Sequence, residues 1–535
     1  MQGGSIHAVE IIFLLLLLFV IVFGALARKL ATPYPIVLVI GGLFLTFLPG
    51  IPKFTLNPDL IFFVVLPPLL YSAAWRTSWR EFSYNLVSIF LLAFGLVTFT
   101  VLGVAASAQW FLPNIDWRAG FVLGAVVAPT DAIAATSIAR RLGLAKRAVD
   151  VLEGESLVND ASALLALEFG IAMLVTGRTP PISTGLLRLA ILIILGILVG
   201  LVVGEIVHRI EHLIDDAPIE IALSILTPYA AYLAANSIGA SGVLAVVACG
   251  LYLSRRSSHF FSPRVRLQAW AVWDSLTFIL NGVVFVLIGL QLPYILEAIH
   301  DHSRRRLLLY GALFSALLIL LRMLWVFPGA YLGYFIRRRV QHQKEKTPPA
   351  RQVFVVGWTG MRGVLSLAAA IALPQTLAND APFVQRNLII FLAFCVILVT
   401  LVLQGLTLPS LIRALGLARV AAPDPEETEA RRAILQAALD YLEQGESTDS
   451  PQYAPLYGDL VNHYRLRLAT LTTEDESLTG DIIPDFYRRS VDLSRELLRV
   501  ERQAAVRLRN EGRISDDFLR QLEHELDLGE TRLQL

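Results

Sequence analysis

The chain is poor in cysteine. Its 535 residues include only two, Cys249 and Cys395, and both lie in apolar runs far apart in the sequence. Isolated cysteines in apolar runs are typical of small core side chains rather than of a disulfide or a metal site. We therefore assign these two residues no chemistry.

Charged residues are also scarce. They make up 17% of the chain, whereas hydrophobic residues make up 55% and the mean hydropathy is +0.62. A soluble domain of this size does not have such a composition, so the sequence predicts an all-α polytopic protein embedded in a lipid bilayer. The formal net charge of +1 offers no excess of basic residues, and no nucleic-acid partner is expected.

Long apolar runs divide the first 415 residues. They begin near residues 8, 34, 59, 84, 117, 148, 183, 217, 241, 266, 307, 351 and 384. Because about 20 helical residues cross the hydrocarbon core, these runs predict about thirteen transmembrane helices. The run from Ser241 to Leu253 is short and is either a span or a re-entrant segment. The first run lacks a convincing cleavage pattern and is predicted to be an anchor rather than a removed signal.

Lys and Arg residues concentrate in alternate loops. One set of loops carries clusters such as residues 140–147, 255–266 and 337–346, whereas the opposite set is poor in them apart from residues 304–306. The positive-inside tendency places the first set in the cytoplasm. The N-terminus is then expected outside a cell (inner) membrane, and the C-terminal tail inside.

The composition changes after residue 415. We predict a membrane domain of residues 1–415 and a helical cytoplasmic tail of residues 416–535, where apolar residues recur three and four apart among charges. The tail has no recognisable phosphate loop, metal cluster or nucleophile motif. A regulatory or dimer-supporting role and the absence of any regulatory role are both open.

The sixth run is interrupted by polar residues at helical spacing. Ser156 and Asp160 stand four apart, as do Glu155 and Asn159, so the four form one stripe. A carboxylate near the centre of a spanning helix costs at least roughly 2.5 kcal/mol on insertion scales, and it normally faces a partner, a cavity or an ion. The stripe therefore predicts a functional site. Helix association through polar side chains is the alternative interpretation.

Two other runs contain signals for a broken helix. In the fifth run Pro129 removes a backbone donor, and Thr130 and Asp131 are suited to cap a new helix. In the twelfth run residues 357–363 include three glycines, together with Arg362. The two breaks are seven spans apart. This spacing predicts two inverted six-helix repeats joined by a linker helix, with the broken helices crossing near the membrane midplane.

These residues make the chain resemble the sodium/proton exchangers of the monovalent cation:proton antiporter family, most closely their bacterial form. The resemblance rests on APTD at residues 128–131, EGESLVND at 153–160 and GMRG at 360–363, in the family's order. It implies a secondary antiporter that exchanges Na⁺ or Li⁺ for H⁺ without a cofactor, with K⁺/H⁺ exchange as the alternative. It also implies a homodimer and electroneutral exchange, because electrogenic relatives carry a second Asp where this chain has Asn159.

The resemblance also implies roles for individual residues. Asp160 matches the aspartate that exchanges cation for proton, and Asn159 precedes it. The implied cation ligands are Asp160, Asp131, Ser156 and the backbone carbonyl of Thr130.

An ion pair between Glu155 and Arg362 is implied as well. A lone charge of either sign is costly at that depth, so we expect these two side chains to neutralise each other between the sixth and twelfth helices. In the alternative interpretation Glu155 is a direct cation ligand and Arg362 lines the ion path.

The chemistry of the residues agrees with this resemblance. A small hard cation prefers several oxygen ligands, and burial favours the neutral form of a carboxylate, so a cation and a proton compete for one charge. An intramembrane aspartyl protease would give Asn159 and Arg362 no role. A cation channel seldom relies on carboxylates that close the site when protonated. We therefore predict a transporter and not an enzyme.

Overall fold

The computed structural model describes two compact units, Met1–Val420 and Ala421–Leu535. The described residues are 3–30, 32–47, 58–113, 115–177, 182–260, 263–297, 299, 303–340, 347–377, 381–418, 425–448, 452, 454–472, 482–511, 513 and 516–532. These residues form helices and no named strand; an isolated bridge joins Thr376 to Pro382. The predicted all-α class is confirmed.

The described residues of the first unit form twenty α-helices. They are α1 (Gly3–Lys29), α2 (Tyr34–Leu45), α3 (Pro58–Leu60), α4 (Leu66–Arg76), α5 (Trp79–Tyr84), α6 (Leu86–Phe90), α7 (Val97–Ser107), α8 (Trp117–Val127), α9 (Ala132–Arg141), α10 (Lys146–Thr176), α11 (Ile182–Glu211), α12 (Ala217–Ser237), α13 (Gly242–Phe260), α14 (Pro263–Leu290), α15 (Leu292–Glu297), α16 (Arg304–Val340), α17 (Ala350–Trp358), α18 (Val364–Ile371), α19 (Arg386–Val399) and α20 (Gly405–Ala414). Each of the thirteen apolar runs contains at least one helix among the described residues.

Within the described residues, eight helical segments are long and apolar enough to cross a membrane. They are Pro58–Arg76, Leu86–Trp110, Lys146–Thr176, Leu187–Glu211, Ala217–Ser237, Val265–Glu297, Arg304–Arg339 and Arg386–Ala414. The bent pair α8–α9 makes a ninth if it is one span. The protein is therefore a multi-pass membrane protein. The count of thirteen spans and the inverted repeat stay predictions.

Small residues allow close helix packing in the membrane unit. A Cβ at Gly200 of α11 would lie 2.2 Å from the carbonyl oxygen of Ala245 in α13, and one at Gly42 of α2 would lie 2.3 Å from that of Val286 in α14. Lipid tails are as apolar as helix side chains, so the hydrophobic effect does not drive helices together within a membrane. Close backbone packing of this kind stabilises their association instead. Both cysteines are free, with Cys249 buried and Cys395 partly buried, as expected for small packing residues.

In the described part of the membrane unit, three π-helical segments interrupt the long spans, at Ile61–Val65, Leu91–Leu96 and Thr400–Gln404. A π-helical turn leaves backbone carbonyls short of their usual donors. In the second segment, Trp325 Nε1 of α16 donates to the carbonyl of Leu91 at 3.0 Å, so a neighbouring helix is hydrogen-bonded to the backbone of this segment.

The second unit contains α21 (Pro425–Thr448), α22 (Ala454–Thr472), α23 (Ile482–Asn510) and α24 (Asp516–Arg532). Arg465 in α22 pairs with Glu443 in α21 at 2.8 Å, and Arg502 in α23 pairs with Asp527 in α24 at 2.6 Å. The unit is built from amphipathic helices joined by exposed ion pairs, as the spacing of its apolar residues predicts.

Candidate functional site

The first broken helix follows the predicted chemistry. α8 ends at Val127, α9 begins at Ala132, and the two helices are bent by 41°. The Asp131 carboxylate accepts a hydrogen bond from the backbone N–H of Ile133 at 2.8 Å and so caps α9. The predicted break and its cap are confirmed. The cap places a carboxylate at the positive end of a helix that starts within the apolar run.

The second broken helix lies at residues 359–363, between α17 and α18. Here the backbone N–H of Arg362 donates to Thr400 Oγ1 at 3.0 Å, and no side chain caps the start of α18. This break is consequently supported by residues from other helices rather than by a cap within its own sequence.

The two breaks contact each other directly. The backbone N–H of Asp131 donates to the carbonyl of Met361 at 2.8 Å. A Cβ built on Gly363 would lie 2.5 Å from Oδ2 of Asp131, so the absence of a side chain at Gly363 leaves room for this carboxylate. The predicted meeting of the broken helices is therefore present, and Asp131 lies at their junction.

Arg362 stabilises the end of the first half-helix. Its Nη1 donates to the carbonyls of Ala128 at 2.8 Å and Pro129 at 3.3 Å, and its side chain is buried. These carbonyls have lost their helical donors, and a cation at the negative end of a helix is favourable.

The predicted ion pair between Glu155 and Arg362 is wrong, because the partner of Glu155 is Arg322 in α16. Arg322 Nη1 donates to Glu155 Oε1 at 2.6 Å, and its Nη2 donates to Oε2 at 3.1 Å. Both side chains are almost fully buried, at 2% and 1% exposure. The guanidinium of Arg362 is instead directed at the carbonyls of α8. The two-bond geometry gives Glu155 a dedicated counter-ion.

Arg322 also supports the second half-helix. Its Nε donates to the carbonyl of Gly357 at 3.1 Å and its Nη2 to that of Val356 at 3.2 Å, both near the C-terminal end of α17. Sequence analysis missed this residue. A signal was available, because a lone arginine within the apolar run of α16 is costly unless it has a partner.

The polar stripe on α10 is hydrogen-bonded to the first break. Ser156 Oγ donates to the carbonyl of Thr130 at 2.9 Å, and Asn159 Nδ2 donates to Thr130 Oγ1 at 2.9 Å. The Thr130 hydroxyl in turn donates to Glu155 Oε1 at 3.2 Å. Three predicted site residues on α10 thus contact the loop that also holds Asp131.

Asp160 differs from the rest of the stripe. It is half-buried, and among the residues that the structure describes its carboxylate has neither a hydrogen-bond donor nor an ion-pair partner. Asp131 is close enough to interact with it electrostatically. Two carboxylates in a low-dielectric region repel each other unless a cation or a proton lies with them.

Fold and site together define an integral membrane protein with two contacting broken helices and an acidic side chain, Asp131, at their junction, the arrangement of a secondary ion transporter. Residues 14–414 match the family described as sodium/hydrogen exchanger, transmembrane. The chain therefore belongs to the sodium/hydrogen exchanger family, a family of transporters.

Individual relatives support this assignment. An uncharacterized Na⁺/H⁺ exchanger of Mycobacterium tuberculosis is 35% identical over 525 residues, which cover 96% of this chain and 94% of the relative. A sodium, potassium, lithium and rubidium/H⁺ antiporter of Bacillus pumilus is 34% identical over 451 residues, 83% of this chain and 66% of the relative. The sodium proton antiporter MjNhaP1 of Methanocaldococcus jannaschii has a similar structure, with a TM-score of 0.59 at 20% identity, over 78% of this chain and 100% of that one. This last likeness shows that the fold is shared.

Proposed function

We propose that this protein exchanges Na⁺ or Li⁺ for H⁺ across the cell membrane, in a one-to-one electroneutral cycle that serves pH and sodium homeostasis. The observation that carries the proposal is the environment of Asp160. Its carboxylate has no partner among the described residues and lies near Asp131, whereas the neighbouring acid Glu155 is fully paired. A charge that the protein leaves without a counter-ion is available to a transported cation or proton.

The proposed cation ligands are oxygen atoms around the first break. They are the carboxylates of Asp160 and Asp131, the hydroxyl of Ser156 and the carbonyl of Thr130. Ser156 already contacts that carbonyl, so hydroxyl and carbonyl are close together, and each oxygen keeps a further lone pair for a cation. Hard monovalent and divalent cations are usually bound by such mixed oxygen sets.

Exchange follows if the site is occupied whenever it changes exposure. A site that holds two uncompensated carboxylates is costly to move through a low-dielectric region, whereas cation binding or protonation lowers its charge. The group of helices that carries the site then moves relative to the remaining helices, and the ion gradients set the direction.

Asn159 supports the one-to-one stoichiometry. Its amide donates to Thr130 Oγ1 at 2.9 Å and so holds the loop that provides the proposed ligands. A neutral amide here leaves Asp160 as the single exchanging carboxylate on this part of α10. One proton then replaces one monovalent cation.

Exchange of K⁺ for H⁺ is the second candidate. It is favoured by the relative from Bacillus pumilus, which is described as an antiporter of sodium, potassium, lithium and rubidium. A cation channel is a weaker third candidate.

The experiment uses the full chain reconstituted in proteoliposomes that contain a pH-sensitive dye. Addition of Na⁺, Li⁺ or K⁺ is expected to dissipate an imposed proton gradient, whereas choline is not. Clamping the membrane potential at zero should leave the rate unchanged if exchange is electroneutral. Cation uptake without proton counter-flow would refute the proposal and indicate a channel.

The surrounding architecture is part of the same proposal. It comprises a membrane exchanger domain of residues 1–415, a cytoplasmic tail of residues 416–535, an outward N-terminus and a homodimer. The support is the Lys and Arg distribution, the change of composition after residue 415 and the family resemblance. Labelling of single cysteines introduced at the two ends, from each side of intact cells, tests the orientation.

A further inference from the structure

A second polar cluster lies outside the proposed ion site. It lines a cavity of about 380 Å³, which we term the α11–α13 pocket. The lining residues are His208 and His212 at the end of α11 and just beyond it, with Tyr252, Arg255 and Arg256 near the end of α13. The exchange cycle proposed above uses none of these five side chains.

Part of this pocket is held rigidly. Arg256 Nη1 donates to Glu205 Oε2 at 2.8 Å, and the Arg256 guanidinium lies 4.5 Å from the centre of the Tyr252 ring. The Tyr252 hydroxyl donates to Glu205 and accepts from Arg256. Glu205 also pairs with Arg209 at 2.9 Å. One carboxylate thereby orients two arginines, and each keeps further N–H groups for a ligand.

Arg255 takes no part in these contacts with Glu205 and Tyr252. It is exposed, and in the described part of the chain it has no hydrogen bond and no ion pair. Counting Arg209, Arg255 and Arg256 against Glu205 gives three positive charges and one negative charge. His208 and His212 add positive charge whenever they are protonated. Among the described residues, the lining of the pocket itself contains two arginines and two histidines and no acidic side chain.

The pocket lies where membrane helices end. His208 is in the last turn of the span Leu187–Glu211, and Arg255 and Arg256 precede the start of α14 by fewer than ten residues. This end faces the side that is rich in Lys and Arg and is proposed as cytoplasmic. Basic pockets between transmembrane helices on that side typically bind the phosphate groups of acidic lipids. Residues at the end of a spanning helix are expected at the level of the lipid headgroups.

We propose that the α11–α13 pocket binds the phosphate-bearing headgroup of an anionic phospholipid through Arg255, Arg256 and the two imidazoles. The paired N–H donors of a guanidinium group match two oxygens of a phosphate. The Tyr252 ring packs against the Arg256 guanidinium and limits its motion. The inference does not depend on the transported ion.

The test measures lipid binding to the full chain in detergent by native mass spectrometry. The probes are dioleoylphosphatidylglycerol, dioleoylphosphatidylcholine and inorganic phosphate. The wild-type chain is expected to prefer phosphatidylglycerol to phosphatidylcholine. Arg255→Gln should weaken phosphatidylglycerol binding about fivefold, because the variant loses one guanidinium contact to the phosphate. The matched control is Arg339→Gln, which removes an exposed arginine at the end of α16 and should leave binding unchanged.

Each outcome has a defined meaning. Equal affinity for the two lipids, or unchanged phosphatidylglycerol binding in Arg255→Gln, overturns the proposal. Competition by millimolar inorganic phosphate that is lost in Arg255→Gln would confirm the phosphate chemistry and identify free phosphate as a second source. Because Arg255 is exposed, the variant is expected to melt at the wild-type temperature. Binding is measured without transport, so failure here is separate from failure of the proposed antiport.

Discussion

Glu155 and Asp160 belong to one turn and a half of α10, yet their surroundings are opposite. Glu155 is 1% exposed, receives two hydrogen bonds from Arg322 and a third from Thr130. Asp160 is half-buried and has no such partner among the described residues. Arg322 thus serves as the counter-ion of Glu155 within the protein. Asp160 has no counter-ion among the described residues and is available to a cation or a proton.

This difference separates two kinds of intramembrane charge. Removal of one member of a buried ion pair leaves its partner unpaired at a general cost of about 3–5 kcal/mol. Removal of a carboxylate whose partner is a transported ion carries no such structural cost. Two acidic residues on one helix are therefore distinguished by their counter-ion.

The largest expected effect is that of Asp160→Asn. The change removes the titrating charge and keeps the size of the side chain, so cation-driven proton movement in proteoliposomes should be abolished while the melting temperature stays near that of the wild type. The matched control is Glu168→Gln, which lies on α10 but is exposed and pairs with the exposed Arg188. Substantial exchange by Asp160→Asn would show that the unpaired acid is not the exchanging group.

The second prediction concerns stability. Glu155→Gln and Arg322→Gln should each lower the free energy of unfolding by about 3–5 kcal/mol, because each strands a buried charge. The double variant should lose less than the sum of the two single losses. Thermal unfolding in detergent measures all three variants.

A second double-mutant cycle, which combines Glu155→Gln with Arg362→Gln, provides the control. Arg362 donates to backbone carbonyls and not to Glu155, so its coupling with Glu155→Gln should be the weaker of the two. Stronger coupling to Arg362 than to Arg322 would reverse the pairing described above.

The sequence allowed prediction of those features that depend on local chemistry. The break at Pro129 and the cap by Asp131 need only a missing donor and a nearby carboxylate, and both occur. The contact between the two breaks was inferred from their spacing.

The partner of Glu155 was not predictable in the same way. Which arginine reaches it depends on how α10, α16 and α17 pack, and that packing leaves no local trace in the sequence. The cost of a lone Arg322 in an apolar run signals that a partner exists but does not identify it. The length of α13 shows a similar limit. Its apolar run ends near Leu253, but the helix continues to Phe260 through polar residues that hydropathy does not detect.

The third prediction concerns pH. If proton and cation compete for Asp160, the apparent cation affinity should fall as pH decreases, by up to about tenfold per pH unit in the range where the free site is mostly protonated. Rates should also fall at high pH, where protons are scarce, which gives a bell-shaped profile. Measurement of the half-saturating cation concentration at several pH values tests this competition. A value that stays constant over two pH units would contradict it.

The smallest expected effect comes from substitutions at two glycines. Gly363 lies against Asp131 of the proposed ion site, and Gly360 lies against Arg322, the partner of Glu155. A Cβ at Gly363 would lie 2.5 Å from Oδ2 of Asp131, whereas one at Gly360 would lie 2.1 Å from Cδ of Arg322. Gly363 has φ −127°, an extended conformation that alanine also adopts, so the space and not the backbone requires glycine here.

Gly363→Ala should therefore displace the Asp131 carboxylate and raise the half-saturating cation concentration about fivefold, the lower end of the cost of overpacking because the side chain can shift. Gly360→Ala should instead displace Arg322 from Glu155 and lower the melting temperature, with a smaller change in cation affinity. Transport and thermal unfolding are measured on both variants. If Gly363→Ala lowers stability and leaves cation affinity unchanged, then Asp131 belongs with Glu155 among the structural charges, and Asp160 alone would remain as the acid that meets the ion.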